Sequence, residues 1–354
     1  MAKKVRIGFV GGGFMGQLAH ISNYAKLEDV ELVALAEGRP ELAKKVADRY
    51  GIGEVYSNHK ELLANAEIDA VVAIMHFNLH HAVVPDILNA GKHLITEKPI
   101  CVDPKKGAEM VKLAEEKSVI YYVGYMKRSD AGTRYVKSQI DEWKDSGDVG
   151  DMRYIRCHAA MADWTWGIEP PISSGESYPE YENETVEPPP DWMTKEEGNQ
   201  YVGFINFWIH QVNLLRHLAG EDYKLTHVSE NGLLLIGETE SGASINLEMN
   251  TRTIKSSWEE EFSVYFPKAE ASLSLAAPLH KQMEGKVRIV TEGETGPVSS
   301  EPFVGTGWGF ADQARMFVEA VRGDRPVLSP ASHAVKDLKI AEDYIRMLRD
   351  FSEK

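Results

Sequence analysis

Cysteine is nearly absent: Cys101 and Cys157 are the two in 354 residues. That is too few for a disulfide framework or a four-thiolate zinc site. A basic excess is also missing, since 39 Lys and Arg face 54 Asp and Glu, a formal charge of −15. So acidic a chain repels phosphate backbones and anionic lipid, which argues against nucleic acid or a membrane surface as partner. No apolar run approaches the roughly 20 residues that cross a bilayer. The opening MAKKVRIGFVGGGFMG lacks a small-residue cleavage site and is glycine-rich, so it reads as a first strand rather than a signal peptide. A cytoplasmic protein is the expectation. With 43% hydrophobic and 26% charged residues the chain can bury a large core, and its length suits two or three domains.

Up to about Val123, short β-rich runs alternate with helical patterns. The runs are 5–10, 30–36, 70–75, 93–96 and 119–123, with ELAKKVADRYG and PKKGAEMVKLAEEK among the stretches between them. Uniformly apolar strands separated by helices predict a parallel sheet covered on both faces, an α/β doubly wound Rossmann domain over 1–124. From 125 to 354 the pattern changes to one aromatic-rich helix around 203–220 and a series of short strands. This predicts an α+β domain with a large, mostly antiparallel open sheet. Residues 163–200, rich in Pro, Glu and aromatics, exceed an ordinary connection and read as a long loop, either a solvated excursion or a lid. The last helices, from about Phe310, are expected to pack back on the first domain.

Gly11-Gly12-Gly13-Phe14-Met15-Gly16 matches G-x-G-x-x-G between an apolar strand and a helical stretch. In that setting Gly11 permits the tight turn, Gly13 lets backbone approach a pyrophosphate, and Gly16 allows close helix–sheet packing. The helix N-terminus, with Phe14 and Met15, offers N–H donors to phosphate. Glu37 ends the second strand, where a carboxylate accepts from ribose hydroxyls and repels a 2′-phosphate. NAD is therefore expected over NADP. Arg39 blurs the preference, because a guanidinium there can stack on adenine or receive a phosphate.

Glu97-Lys98-Pro99 closes the fourth long strand, and ligands of open parallel sheets bind at such carboxyl ends. Lys98 is the candidate proton donor and Glu97 its neighbour at the cofactor. Asn206 and His210 lie four apart on the predicted helix, with Asn213 continuing their face; His210 is a candidate acid/base. A lone histidine on an aromatic-rich helix is otherwise a packing residue. His76 and His80 also have i,i+4 spacing, but no Cys or paired acid completes a zinc set, so contacts to cofactor are expected and no metal. Tyr125, Arg128, Trp164 and Trp166 are candidates for substrate binding, the tryptophans by stacking on a pyranose or by plain interior packing.

GFVGGGFMG, Glu37, AGKHLITEKPI, VGYMKR, the helix around His210, SENG (229–232) and the closing AVRGDRPVLSPASHAVKDLKIAEDYIRM together resemble the glucose–fructose oxidoreductase / inositol dehydrogenase / rhizopine catabolism (Gfo/Idh/MocA) family, nearly end to end. The resemblance implies a nicotinamide cofactor, a sugar, cyclitol or glycoside substrate, and a homodimer or homotetramer formed through the open sheet. It implies that Lys98 is the catalytic lysine, His210 the acid/base histidine and His80 the histidine of the loop after the third long strand. Three departures stand out. Asn206 and Asn213 replace frequent aspartates, and Met75-His76 replaces a Thr-Pro. An uncharged Asn206 gives less electrostatic support to a protonated His210.

The expected function is NAD-dependent oxidation of a secondary ring hydroxyl to a ketone, or its reversal. A redox-neutral glycosidase that retains NAD uses the same residues, and a non-catalytic NAD-sensing interaction protein uses the same fold.

Overall fold

A computed structural model describes residues 3–178, 186–283 and 285–352. Residues 179–185 of the long proline-rich segment lie outside the described residues. The chain groups into two compact units, each drawn from separated stretches. The first comprises Met1–Tyr125, Glu169–Gly198 and Phe310–Leu338; the second comprises Met126–Ile168, Asn199–Gly309 and Lys339–Lys354.

In chain order the strands are β1 Val5–Val10, β2 Val30–Ala36, β3 Glu54–Tyr56, β4 Ala70–Ala73, β5 His93–Glu97, β6 Tyr121–Gly124, β7 Tyr154–Met161, β8 Tyr223–Val228, β9 Leu234–Thr239, β10 Ser244–Thr251, β11 Glu259–Tyr265, β12 Ala269–Ser274, β13 Lys286–Gly293 and β14 Gly296–Ser300. The helices are α1 Ser22–Tyr24, α2 Pro40–Tyr50, α3 His59–Asn65, α4 His80–Asn89, α5 Pro104–Glu116, α6 Ala131–Ser146, α7 Lys195–Phe207, α8 Ile209–Ala219, α9 Gly309–Val321 and α10 Ala331–Ser352.

The first unit is built on a six-stranded sheet in the order β3-β2-β1-β4-β5-β6, with every neighbour parallel. The order reverses between β1 and β4, so a crevice opens at the carboxyl ends of those strands. Local sequence sets the helices between them. Pro40 starts α2 and Gly51, at φ 69°, ends it; Asn58 and Asp103 cap α3 and α5 with their side chains. β-Branched residues fill the sheet core, and Ala314, Phe317 and Val318 of α9 join Val5, Ile7, Phe9 and Val72 in it. Phe317 meets the Tyr122 ring edge-on at 5.9 Å.

The second unit holds an eight-stranded sheet, β14-β13-β12-β11-β7-β10-β9-β8. β7 and β10 pair in parallel and the other neighbours antiparallel. Strict alternation, as in Glu260, Phe262 and Val264 inward along β11, gives the sheet one buried face. α6 and α8 pack on it. The other face is polar, with Arg156 and His158 of β7 both on Glu248 of β10.

Three local features depart from the sequence reading. β3, β12 and β14 are short strands that periodicity did not mark out. The helix expected as one piece around 203–220 divides at Trp208, although Trp208 N–H still donates to the Phe204 carbonyl at 2.8 Å. The first crossover opens with a wide π-type turn over Gly16–Ile21 before α1. Among the described residues no helix is long and apolar enough to cross a membrane.

Candidate active site

The glycine turn follows β1 at the point where the strand order reverses. Gly11 has φ 94°, and a Cβ on it would stand 2.1 Å from the Ile74 carbonyl oxygen. A Cβ on Gly16 would stand 2.5 Å from the Gly11 carbonyl. Both positions therefore exclude any side chain on steric grounds. At Gly13 the nearest atoms are instead the ends of flexible side chains, the Tyr178 hydroxyl and an Arg39 nitrogen. The backbone at Gly13 thus faces side-chain ends that can move, and not fixed backbone, which is compatible with the close approach of a dinucleotide pyrophosphate. Phe14 is exposed and Met15 partly buried.

Glu37 lies just past β2, almost wholly buried. Its carboxylate accepts from Gly12 N–H at 2.9 Å and from Arg39 N–H, Nε and Nη2 at 3.2, 2.7 and 2.9 Å. The pair raises the Arg39 pKa further, chiefly through that side-chain hydrogen bond. An acidic group held by a glycine turn at this strand end fits the ribose side of a dinucleotide.

At the end of β5, Glu97 accepts at Oε1 from His20, its Nε2 2.8 Å away, and at Oε2 from Lys98 N–H at 3.2 Å. His20 is buried edge-on against Phe310. Gly124 on neighbouring β6 leaves room for this arrangement, since a Cβ there would meet the Thr96 carbonyl at 2.9 Å and Glu97 Oε1 at 3.4 Å. Lys98 is half-buried and joined to Pro99 by a cis peptide bond.

The turn after Lys98 is braced from below. His80, fully buried at the start of α4, donates from Nδ1 to the Ile100 carbonyl at 2.9 Å. Burial lowers its pKa to about 4, so the ring is neutral at physiological pH. Its place is beneath the Lys98 turn, where it supports the backbone. His76 is exposed, stacks on Phe77 and pairs Nδ1 with Asn78 Oδ1 at 2.7 Å. Among the described residues no group of three or more His, Cys, Asp or Glu is placed to hold a metal ion.

Glu187 is a residue the sequence reading missed. Its buried carboxylate accepts from Val102 and Asp103 N–H at 2.9 and 3.0 Å, and its own N–H donates to the Asn78 carbonyl at 3.0 Å. It thus ties together the loops after β4 and β5. Burial pushes its carboxyl pKa up, against the two backbone hydrogen bonds. The available signal was weak: one glutamate among many in an acidic, proline-rich stretch. Tyr125, at the end of the first unit, is buried.

In the second unit, α8 carries His210, half-buried, while Asn206 is exposed near the end of α7. Arg128 and Asn213 are both buried, and Arg128 Nε donates to Asn213 Oδ1 at 2.7 Å. Gln211 and Lys127 both donate to the buried Glu260 carboxylate. Arg128 and Asn213 therefore anchor the helix that bears His210. Trp164 is half-buried; Trp166 is exposed, with Lys255 Nζ 5.1 Å from its ring centre.

Comparison with known proteins agrees with this geometry. A model of the Gfo/Idh/MocA oxidoreductase family, NAD-binding Rossmann fold, matches residues 5–125. Myo-inositol 2-dehydrogenase of Thermotoga maritima is 24% identical over 234 residues, which is 66% of this chain and 60% of that protein. Inositol 2-dehydrogenase/D-chiro-inositol 3-dehydrogenase of Shouchella clausii is 27% identical over 262 residues, 69% of this chain and 65% of that protein. The match thus spans somewhat under two thirds of these two relatives. Levoglucosan dehydrogenase of Pseudarthrobacter phenanthrenivorans is 27% identical over 179 residues, 48% of this chain and 44% of that one. Among solved structures, a putative NADPH-dependent oxidoreductase from Desulfitobacterium hafniense superposes with TM-score 0.77 at 16% identity, covering 99% of this chain and 97% of that one. Scyllo-inositol dehydrogenase from Lactobacillus casei, solved with NAD(H) and scyllo-inositol, gives 0.67 at 18% identity, with 99% and 98% covered. At such identities the structures speak for the fold. The glycine turn tied to Glu37, the braced Glu97-Lys98-Pro99 strand end and the family match over the whole of that sheet identify residues 5–125 as an NAD-binding Rossmann domain of the Gfo/Idh/MocA oxidoreductase type.

Proposed function

We propose that the protein is an NAD-dependent dehydrogenase that interconverts a secondary ring hydroxyl of a sugar, glycoside or cyclitol with the ketone. One observation carries the reading. The dinucleotide fingerprint with its buried ribose-side carboxylate and a braced lysine at a strand end belong to the same compact unit and the same parallel sheet. The relatives named as inositol and levoglucosan dehydrogenases support the substrate class. Glu37, buried and ionically paired, favours NAD over NADP by repelling a 2′-phosphate.

Bound NAD supplies the hydride acceptor at its nicotinamide ring. The chain does the rest. Gly11 to Gly16 would turn the backbone so that helix N–H groups could meet the cofactor's pyrophosphate, and Glu37 would accept from its ribose diol. Lys98 Nζ takes the hydroxyl proton as the carbon loses hydride, or returns it in the reverse direction. Glu97 and the His80–Ile100 bond fix the backbone on either side of Lys98. His210 is the second acid/base candidate, on a helix anchored by Asn213 and Gln211. A homodimer or homotetramer through the polar face of the eight-stranded sheet completes the proposal.

The test is nicotinamide absorbance with excess NAD and a panel of pyranoses, inositols and aryl glycosides. A rise with one stereochemical subset is expected, and Lys98→Ala should lower kcat by about 10²–10⁴ while leaving NADH affinity in place. Undiminished turnover in that variant would remove Lys98 from the chemistry. A flat trace over the whole panel, with NADH still bound, would favour the redox-neutral glycosidase or a binding role.

A further inference from the structure

The Glu169–Tyr178 stretch belongs to the first unit and runs along the rim of the glycine turn. Gln17, one residue past Gly16, exchanges two hydrogen bonds with Ile172: its Nε2 donates to the Ile172 carbonyl and its Oε1 accepts from Ile172 N–H, both at 3.0 Å. The same Nε2 donates to the Gly12 carbonyl at 2.8 Å. Further on, Glu176 accepts from the N–H groups of Glu41 and Leu42 at 3.2 and 3.0 Å, in the first turn of α2. That turn has backbone donors without helical partners, and a carboxylate is favoured there. The stretch is therefore fastened at two points, at the helical turn after β1 and at the helix after β2.

Just beyond these fastenings stands Tyr178. Its ring stacks on the Arg39 guanidinium, 3.8 Å from carbon to ring centre, and its hydroxyl lies 2.8 Å from the place of a Gly13 Cβ. Arg39 is in turn committed to Glu37. Three of its N–H groups and that of Gly12 supply four hydrogen bonds to one carboxylate. A carboxylate has about four acceptor sites, so a ribose diol must displace a bond to gain one. A stacked contact occupies about 3.5–4.0 Å, so an adenine cannot enter between Tyr178 and Arg39 as they stand.

We propose that Tyr178, stacked on Arg39, closes the adenosine end of the dinucleotide site and sets its affinity, so that the dinucleotide must lift the tyrosine to bind. The proposal rests on the reading of the glycine turn as an NAD site. It names a residue that neither the fingerprint nor the strand-end motifs contain. Because the contact lies beside Gly13 and Glu37 and not at the Lys98 strand end, its effect is confined to the adenosine half of the ligand.

The experiment is calorimetric titration of the full chain with ADP-ribose and, separately, nicotinamide mononucleotide. Tyr178→Ala should bind ADP-ribose about three- to fivefold tighter, the release of one exposed cation–π contact, with mononucleotide affinity unchanged. Tyr178→Phe keeps the ring and should behave as the parent. Tyr178 is 66% exposed, so both variants should fold with parental melting temperatures. Unchanged or weaker ADP-ribose binding in Tyr178→Ala overturns the proposal, and weaker binding would make Tyr178 a wall of the occupied site. Gly13→Val separates this from failure of the functional reading. If the parent binds ADP-ribose and Gly13→Val binds it equally well, the ligand does not sit at the glycine turn and both fall.

Discussion

Gly12 donates its backbone N–H to a Glu37 carboxylate oxygen at 2.9 Å, joining the glycine turn after β1 to the end of β2. The carboxylate is thereby a structural part of the turn as well as its ribose-side acceptor. Removing it acts on both, and Arg39 loses its partner in the same step.

Glu37→Ala should therefore move cofactor preference toward NADP. The repulsion of a 2′-phosphate is gone, and the freed Arg39 guanidinium can pair with one. The ratio of kcat/KM for NAD over NADP should fall by about ten- to a hundredfold, the effect of roughly 1.4–3 kcal/mol. Steady-state kinetics with both cofactors checks it; an unaltered ratio would show that Glu37 does not read the ribose.

The two glycines flanking Gly12 should respond differently to alanine. At Gly11 the new Cβ meets a backbone carbonyl and a positive φ, so Gly11→Ala should lose on the order of 2–4 kcal/mol of stability. At Gly13 the Cβ meets only side-chain ends, so Gly13→Ala should keep the melting temperature while weakening NADH binding. Thermal melts beside NADH fluorescence titrations distinguish them.

How much of this was legible follows from the range of the signals. β1 and β2 were read to the residue, because predominantly apolar six- and seven-residue runs bounded by Gly and charge have one reading. Gly11, Glu37 and Lys98 stood out because their roles depend on neighbours in sequence. β3, with three residues, is too short for periodicity to reveal. Gln17, Tyr178 and Glu187 escaped because their partners are distant: Gln17 bonds Ile172 and Glu187 bonds Val102. No spacing rule connects such pairs. Arg128 and Asn213 were marked as substrate contacts, yet their mutual bond inside the second unit is equally invisible in one dimension.

His80 gives the fold an acid-sensitive point. Its folded pKa is near 4 and its unfolded value near 6.5, so between these pH values the unfolded chain binds the extra proton. Its contribution is full above pH 6.5 and falls as pH drops toward 4, by about 3 kcal/mol in all. His80→Gln retains an N–H donor for the Ile100 carbonyl and does not titrate. Stability measured by urea unfolding should thus fall less steeply between pH 6.5 and 4 in this variant than in the parent.

Glu187 should be more tolerant of losing its charge than of losing its side chain. Burial disfavours the carboxylate, whereas Val102 and Asp103 N–H need an acceptor. Glu187→Ala leaves two backbone donors without their partner and should cost about 2–3 kcal/mol. Glu187→Gln, which still offers one oxygen, should cost less than half of that. Chemical denaturation ranks the two, and equal losses would refute the acceptor role.

The assembly of the first unit from three stretches bears on how the protein can be re-engineered. The family match ends at residue 125, which makes 5–125 look like a transplantable module. Yet its sheet is sealed by Phe317 and Val318, and its Lys98 turn is braced by Glu187, from stretches encoded far downstream. A chimera cut at residue 125 would inherit an uncovered sheet face and mismatched donors at Val102 and Asp103. Cofactor-domain exchange between relatives will succeed where 169–198 and 310–338 travel with the Rossmann strands.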